Sequence, residues 1–500
     1  MTTATPLPDW HAKAAALRTD GRPFIDGQRV DAACSESFDV LNPHTGATVG
    51  TLPACGQADV DRAVASARKA FHAGLWSSLA PHERSQVMRR LATLLVQHGE
   101  ELGLLDSLQM GAPIGGPICA AAGYDEIVGE CAQQSDKLHD QAILSATTAL
   151  ALNLRRPHGV VACIAPWNAP LHTALMKVVP ALCMGNSVVL KPSELAPLAC
   201  LRLADLAQQA GLPPGVLNVV PGLGPQAGKA LALHLDVDFL SFTGSTATGL
   251  QLMQYAGQSN MKSLMMECGG KSPHLVFDDV GNLEALADAL VQGFTFNSGQ
   301  VCSAGTRILV AGSLYDRLLP LLVSRVEATR TGDPLDPATQ MGPLASASQH
   351  ARVTRSLAQA RDSDVLLATG QALAGHPNHF AARLYASSDD RSPLVQEEIF
   401  GPVACVMRFD DEAQALALAN GTRYGLVATV WSRDIEQARR VSAALRAGIV
   451  VTNAVAQPAP ALCYYMSAEP VGQSGFGVAG GGPAGLLSYT RLRCQIHHLA

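Results

Sequence analysis

The chain has 500 residues and a mass of 52.3 kDa, about two to four domains' worth of sequence, and its 48% hydrophobic content is enough for several buried cores. Aromatic residues make up only 5% and charged residues 16%, so the apolar share comes from Ala, Leu and Val, which excludes a disordered chain and fits an α/β protein. Thirty-six basic against forty-two acidic residues give a net charge of −6 with no dense Lys/Arg run, which excludes the electrostatic footprint of a nucleic-acid or anionic-lipid binder.

The start, Met1–Trp10, has neither a basic segment nor an apolar one, so no secretory signal is expected. The charge-free stretches Gly159–Met176 and Ala447–Ala468 are broken by Pro and Asn and are not expected to span a membrane. Twelve cysteines without a CxxC pair argue against a disulfide framework or a metal site and for a reducing cytoplasm.

Helical periodicity over Asp59–Phe71 and Ala80–His98 comes first in the chain. The segment Ala142–Arg156 then reads as a protruding hairpin. From there, short apolar runs at Gly159–Ala165, Ser187–Leu190, Gly215–Val220, Phe239–Phe242 and His274–Phe277 alternate with helical patterns at Leu171–Met184, Ala199–Ala210, Gln226–His234 and Thr246–Ala256. Such alternation predicts βαβ units in a doubly wound parallel sheet. A second series follows, with strands at Arg307–Val310, Val403–Met407, Ala428–Trp431 and Gly448–Val451 and helices at Ser313–Ala328 and Ile435–Leu445, predicting a second α/β domain. The tail Ser488–His498 reads as a further exposed strand, and exposed edges usually find a partner, so self-association is expected.

Five clusters within this frame carry chemistry. Pro166-Trp167-Asn168-Ala169-Pro170 is a proline-stiffened loop at a strand's C-terminal end, where the Asn168 amide could donate to an oxyanion or simply complete a turn. Lys191-Pro192-Ser193-Glu194 follows the next strand, where a carboxylate can accept from ribose hydroxyls; a solvated turn is the plainer alternative. Phe242–Gly249 (FTGSTATG) runs from a strand into a helix, so Ser245 and the first helical N–H groups could face a pyrophosphate, although the pattern is not GxGxxG. Glu267-Cys268-Gly269-Gly270-Lys271 offers a general base beside a sharp turn, or else a solvated glutamate. Asn297-Ser298-Gly299-Gln300-Val301-Cys302 could project a nucleophilic thiol, although most free cysteines are buried and inert.

Together, and in this order, the clusters resemble the signature blocks of the aldehyde dehydrogenase superfamily. Phe24-Ile25-Asp26-Gly27, Gly211–Gly222, Gln396–Pro402 and Tyr424-Gly425-Leu426 agree, so the resemblance runs from about Phe24 to Arg491. It implies a Rossmann-like doubly wound NAD-binding domain from residues 1–140 and 159–270, a catalytic α/β domain over 271–470, and a small β oligomerisation arm from 141–158 and 484–500. By the same resemblance Cys302 is the nucleophile, Glu267 the base for hydrolysis, and Asn168 with the Cys302 N–H the oxyanion hole. Lys191 and Glu194 are implied to bind the adenosine ribose, Gly244 and Ser245 the pyrophosphate, and Glu398 the nicotinamide ribose, with Phe400 near the nicotinamide. Ile164, Pro166, Trp167, Ser193 and Gly224 complete the implied cofactor contacts. The implied activity is oxidation of an aldehyde to its acid, with NAD preferred over NADP, in a homodimer or homotetramer without membrane or nucleic-acid partners.

The wording of Asp9–Leu17, Ser259–Lys262 and Pro334–Leu344 resembles the branch acting on γ-glutamylaminobutyraldehyde and other amino aldehydes. The family's C-terminal PFGGxKxSGxGRE block is altered here: Ser474-Gly475-Phe476-Gly477 keeps its SGxG core, while the Lys and the Arg-Glu pair are lost. In Val450–Gly475, expected to wall the substrate tunnel, Glu469 is the only charge among Val455, Ala456, Pro458, Pro460, Leu462, Tyr464, Tyr465 and Met466. That lining predicts a medium-chain aliphatic or aromatic aldehyde, each buried CH₂ contributing about 0.8 kcal/mol. An amino aldehyde, a CoA-acylating reaction and a catalytically retired cofactor binder are the competing readings.

Overall fold

The computed structural model describes residues 8–143, 148–455 and 467–498. The first of its two large sheets has eight strands. At its centre lie five parallel strands, Ser263–Glu267, Phe239–Thr243, Val160–Ile164, Ser187–Lys191 and Leu217–Val219, which in chain order stand 5-4-1-2-3. The strands Val160–Ile164 and Ser187–Lys191 are buried at every position, as required of parallel strands covered by helices on both faces. Continuous apolar runs such as VVACI are the sequence form of that double burial, and they fall where they were expected. Chain order reverses around Val160–Ile164, so its C-terminal end opens onto the crevice where doubly wound sheets bind ligands.

Antiparallel strands close both edges. Phe24–Ile25 and Gln28–Arg29 form a hairpin whose two turn residues, Asp26 and Gly27, have φ of 54° and 79°, the left-handed pair that an Asp-Gly turn supplies. At the other edge Gly475–Phe476 pairs with Met266 and Glu267.

The second sheet runs Asp364–Thr369, Arg383–Ser387, Val403–Phe409, Arg307–Ala311, Pro273–Val276, Val427–Trp431, Ile449–Thr452, parallel except for its first strand. Five of these seven were expected. Asp364–Thr369 is half exposed at the edge and Arg383–Ser387 reads Arg-Leu-Tyr-Ala-Ser, so neither presents an apolar run. Helices at Gly99–Met110, Ala122–Ser135, Ala347–Leu357 and Glu412–Asn420 were also not anticipated. The helix expected over Gln226–His234 is a turn of π-helix at Gly224–Gly228 continued by Lys229–Leu233.

A third, three-stranded antiparallel sheet joins Gln141–Ile143, Ala149–Pro157 and Thr490–His498, the last pair in register over nine residues. Pro483–Leu487 is a short helix, so the C-terminal strand begins only at Thr490. Among the described residues no helix is long and apolar enough to cross a membrane.

Candidate active site

Asn168 lies in the loop between the strand ending at Ile164 and the helix Pro170–Cys183. Its Nδ2 donates to the Gln300 carbonyl at 2.8 Å, and its own carbonyl accepts from Asn297 Nδ2 at 2.8 Å. These two bonds clamp the segment carrying Cys302 against the first sheet's crevice. The segment arrives there through three consecutive left-handed residues, Asn297, Ser298 and Gly299, with φ of 51°, 56° and 69°. Two such non-glycine residues are costly and persist only where the surroundings hold them. Here Ser298 Oγ donates to the Gly342 carbonyl at 2.8 Å, and Gln300 Oε1 accepts from Ala345 N at 2.9 Å. A Cβ at position 299 would stand 2.1 Å from the Gly401 carbonyl, so only glycine fits.

Cys302, beyond this turn, is one of three cysteines not buried among those described, with Cys34 and Cys494. Desolvation of its sulfur and the nearby carboxylates of Glu398 and Glu267 push its pKa up to about 12, so the resting group is a neutral thiol.

Glu267 ends the strand Ser263–Glu267 and feels the opposite pull of two effects. Burial raises its pKa to about 7, while the Lys177 ammonium acts to lower it. Lys177, only 3% exposed, reaches Ser241 Oγ at 3.3 Å from the buried face of the helix Pro170–Cys183. Its own pKa is lowered by burial, against the fields of Glu267, Cys163, Cys268 and Cys302. The glycine pair after Glu267 permits two close approaches. Gly270 N donates to Glu398 Oε1 at 3.0 Å, and a Cβ on Gly269 would sit 2.5 Å from Glu398 Oε2. A Cβ on Gly270 would sit 2.3 Å from the Cys302 carbonyl. Burial raises the pKa of Glu398, against Gly270 N–H, Arg352 and Lys271.

The altered C-terminal block still serves this turn. Ser474 Oγ donates to the Gly269 carbonyl at 2.7 Å and accepts from Gly425 N at 3.0 Å, while its carbonyl accepts from Cys268 N at 2.8 Å. Glu469 accepts from Gly477 N at 3.0 Å, and Val455 packs on the helix Leu283–Thr295 side of the second core. Ala456, Pro458, Pro460, Leu462, Tyr464, Tyr465 and Met466 lie outside the described residues.

Most of the expected cofactor residues follow the C-terminal ends of the first sheet's parallel strands, whereas Glu398 and Phe400 precede Val403–Phe409 of the second sheet. Ile164 is the register partner of both Lys191 and Phe242, which brings the three strand ends level. Lys191 Nζ is buried and meets the more exposed Glu194 carboxylate at 3.0 Å, with burial lowering its pKa against the pull of Glu194. Ser193 Oγ accepts from Leu195 N at 3.3 Å. Gly244 donates its N–H to the Glu267 carbonyl at 3.0 Å, and a Cβ there would strike the Phe242 ring. Ser245 caps the helix Thr246–Gln258 by accepting from Thr248 N at 3.2 Å. Gly224 opens the π-turn with free space where its side chain would be. Pro166 and Trp167 belong to the Asn168 loop, and the Trp167 ring stands edge-on to Phe400 at 5.4 Å. Phe400 itself has φ of 58° and accepts at its carbonyl from Gln349 Nε2 at 2.6 Å.

Sequence reasoning did not single out Lys177 or the pairing role of Asn297 and Gln300. The available signal for Lys177 was a lone cation in an otherwise apolar helix, nine residues after Asn168.

The profile of the aldehyde dehydrogenase family matches residues 30–494. The NADP/NAD-dependent aldehyde dehydrogenase PuuC of Escherichia coli K12 is 43% identical over 450 residues, 89% of this chain and 90% of that protein. The P. syringae indole-3-acetaldehyde dehydrogenase AldA, solved with NAD+ and IAA, superposes with a TM-score of 0.94 at 42% identity, covering 98% and 99% of the two chains. A γ-glutamyl-γ-aminobutyraldehyde dehydrogenase from Burkholderia cenocepacia J2315 has the same TM-score and coverage at 39% identity. With these matches spanning nearly all of the described fold, the chain belongs to the aldehyde dehydrogenase family.

Proposed function

We propose that this chain oxidises an aldehyde to the carboxylic acid with NAD, using Cys302 as nucleophile, Glu267 as base and Asn168 as oxyanion donor. The carrying observation is the double clamp between Asn168 and the Asn297–Gln300 turn, which brings the nucleophile's segment to the oxyanion donor. The residues after the C-terminal strand ends fit a dinucleotide: a buried ammonium, a carboxylate able to read a ribose, a capped helix N-terminus and a glycine with open space above it. Bound NAD supplies the hydride acceptor.

The remaining chemistry falls to the protein. The Cys302 thiol gives up its proton to solvent as sulfur adds to the aldehyde carbon, giving a thiohemiacetal oxyanion. Asn168 has two N–H groups and spends one on Gln300, so the other is free for that oxyanion together with the Cys302 N–H. Loss of hydride leaves a thioester on Cys302. Glu267, with a pKa of about 7, then removes a proton from water as it attacks the thioester, releasing the acid and the thiol. Glu267 supports hydrolysis over resolution by CoA.

For the substrate, the helix leading away from Asn168 carries Leu171, His172, Thr173 and Met176 and no acidic residue. The lack of an acidic side chain on this helix supports medium-chain aliphatic or aromatic aldehydes over a cationic one. The relatives acting on amino aldehydes and on indole-3-acetaldehyde divide on this point, and the 39% identity to the Burkholderia cenocepacia γ-glutamyl-γ-aminobutyraldehyde dehydrogenase keeps the γ-glutamylamino aldehydes as the second reading.

Following NADH absorbance across an aldehyde panel tests the proposal. Cys302→Ala should abolish turnover, and Glu267→Gln should leave one NADH per site followed by slow hydrolysis. Turnover surviving in Cys302→Ala would move the nucleophile elsewhere. Higher kcat/KM for 4-aminobutyraldehyde or its γ-glutamyl form than for hexanal or phenylacetaldehyde would overturn the substrate reading alone.

A further inference from the structure

Three histidines, His44 and, more than 300 residues later, His376 and His379, meet in one cluster. His44 lies in the turn between the strands Ser37–Leu41 and Thr48–Pro53, and His376 and His379 bracket one turn of the loop before Arg383–Ser387. One nitrogen from each ring lies within 4.8 Å of the other two. His44 Nδ1 and His379 Nε2 are 3.0 Å apart, so this pair shares a single proton.

The far side of each ring is held by oxygen. His376 Nδ1 is 2.8 Å from the His44 carbonyl, and because a carbonyl only accepts, Nδ1 carries the proton and Nε2 is left with its lone pair. His379 Nδ1 is 2.7 Å from Thr331 Oγ1, and His44 Nε2 faces Asp333 Oδ1 at 3.9 Å. Ligating histidines are commonly oriented in this way, with the second nitrogen on a carbonyl, hydroxyl or carboxylate. The rings of His44 and His376 stack at 4.2 Å with planes 8° apart, an arrangement suited to neutral imidazoles.

We propose that His44, His376 and His379 form a three-imidazole site for a borderline-soft divalent cation such as zinc, separate from the aldehyde chemistry. The cation displaces the proton shared by His44 and His379, which moves to the outer nitrogen of the ring that held it, facing Asp333 or Thr331, and takes the lone pair of His376, with water at the fourth position. Zinc–nitrogen bonds of about 2.0–2.1 Å in a tetrahedron place ligand nitrogens about 3.3 Å apart, so the 3.0 Å pair opens by a few tenths of an ångström and the stacked rings splay. Asp333, which also faces His11 Nε2 at 3.3 Å, balances the charge. The site fastens the 42–46 turn to the 331–333 and 376–379 loops, which are already joined by Asn378 Nδ2 donating to the Pro43 carbonyl at 2.9 Å.

The test uses full-length protein stripped with chelator and loaded with Zn²⁺ or Co²⁺. One metal per chain, a tetrahedral Co²⁺ spectrum without thiolate charge transfer, and a Tm rise of about 2 °C or more with zinc are expected. His376→Gln and His379→Gln should each weaken zinc binding by at least about tenfold. A thiolate band, zinc content equal in wild type and variants, or no bound metal in the wild type would overturn the site and leave a hydrogen-bonded histidine cluster only. The wild-type Co²⁺ spectrum decides the matter even where a variant misfolds.

Discussion

Glu267 shows how opposing electrostatic effects set one group to its task. Desolvation lifts its pKa to about 7 and Lys177 holds it from rising further. In the proposed mechanism the hydrolytic step needs the carboxylate, so kcat limited by thioester hydrolysis should rise with pH through about 7. Removing the cation in Lys177→Met takes away a lowering influence, so the limb should move to higher pH; a pH profile of steady-state turnover reads this directly, and a shift to lower pH would contradict it. Glu194 acts at the same scale through charge. In our reading its carboxylate, which pairs with Lys191, accepts from ribose hydroxyls and opposes a 2′-phosphate, so NAD should be preferred. Glu194→Ser should narrow the ratio of kcat/KM for NAD over NADP by about tenfold or more, as expected for loss of a close repulsion worth over 1.4 kcal/mol. Of these residues Glu267 and Glu194 could be picked out from short motifs next to strand ends. Lys177 offered only the weak signal of a lone cation in a mostly apolar helix, because a lysine in a helix ordinarily points to water and only packing against the sheet reveals that this one does not.

Elements position these residues more than they contribute to the chemistry. The segment 472–476 forms a short 3₁₀ turn and a two-residue strand, yet Ser474 in it ties the Gly269 carbonyl to the Gly425 N–H across the two large sheets. Ser474→Ala leaves both buried groups unpaired and should destabilise the protein by about 1–3 kcal/mol, seen as a lower urea midpoint with unchanged m. An unchanged midpoint would mean that water replaces the hydroxyl. The SGxG remnant was visible in the sequence, but its role was not, since its hydrogen-bond partners lie 205 and 49 residues away. The same distance problem explains the missed strand Arg383–Ser387, whose burial comes from neighbours on both sides and not from its own composition.

At the scale of the molecule, the three-stranded sheet stands out by what it exposes. Leu150, Leu492 and Ile496 on its paired strands are 38%, 57% and 63% exposed, and Ile143 on the third is 45% exposed. Apolar side chains on a sheet with open edges call for a covering partner, which a second copy of this chain supplies in our reading. Leu492→Asp with Ile496→Asp should therefore shift sedimentation toward the monomer while the protein stays folded, and an unchanged sedimentation coefficient would show that the arm is not the contact. The parallel strands other than Ser263–Glu267 and Arg383–Ser387, their order of appearance, and the turn glycines beside Glu267 and Cys302 were determined by the sequence alone, because each depends on local pattern: continuous apolar runs for strands covered twice, and glycine where backbone must approach backbone. The placing of Lys177 beside Glu267, the bracing of the left-handed 297–299 turn, and the meeting of His44 with His376 and His379 were decided only by the tertiary structure. These depend on burial and on contacts between segments tens to hundreds of residues apart, and no local periodicity encodes which lone polar side chain will be desolvated against which other.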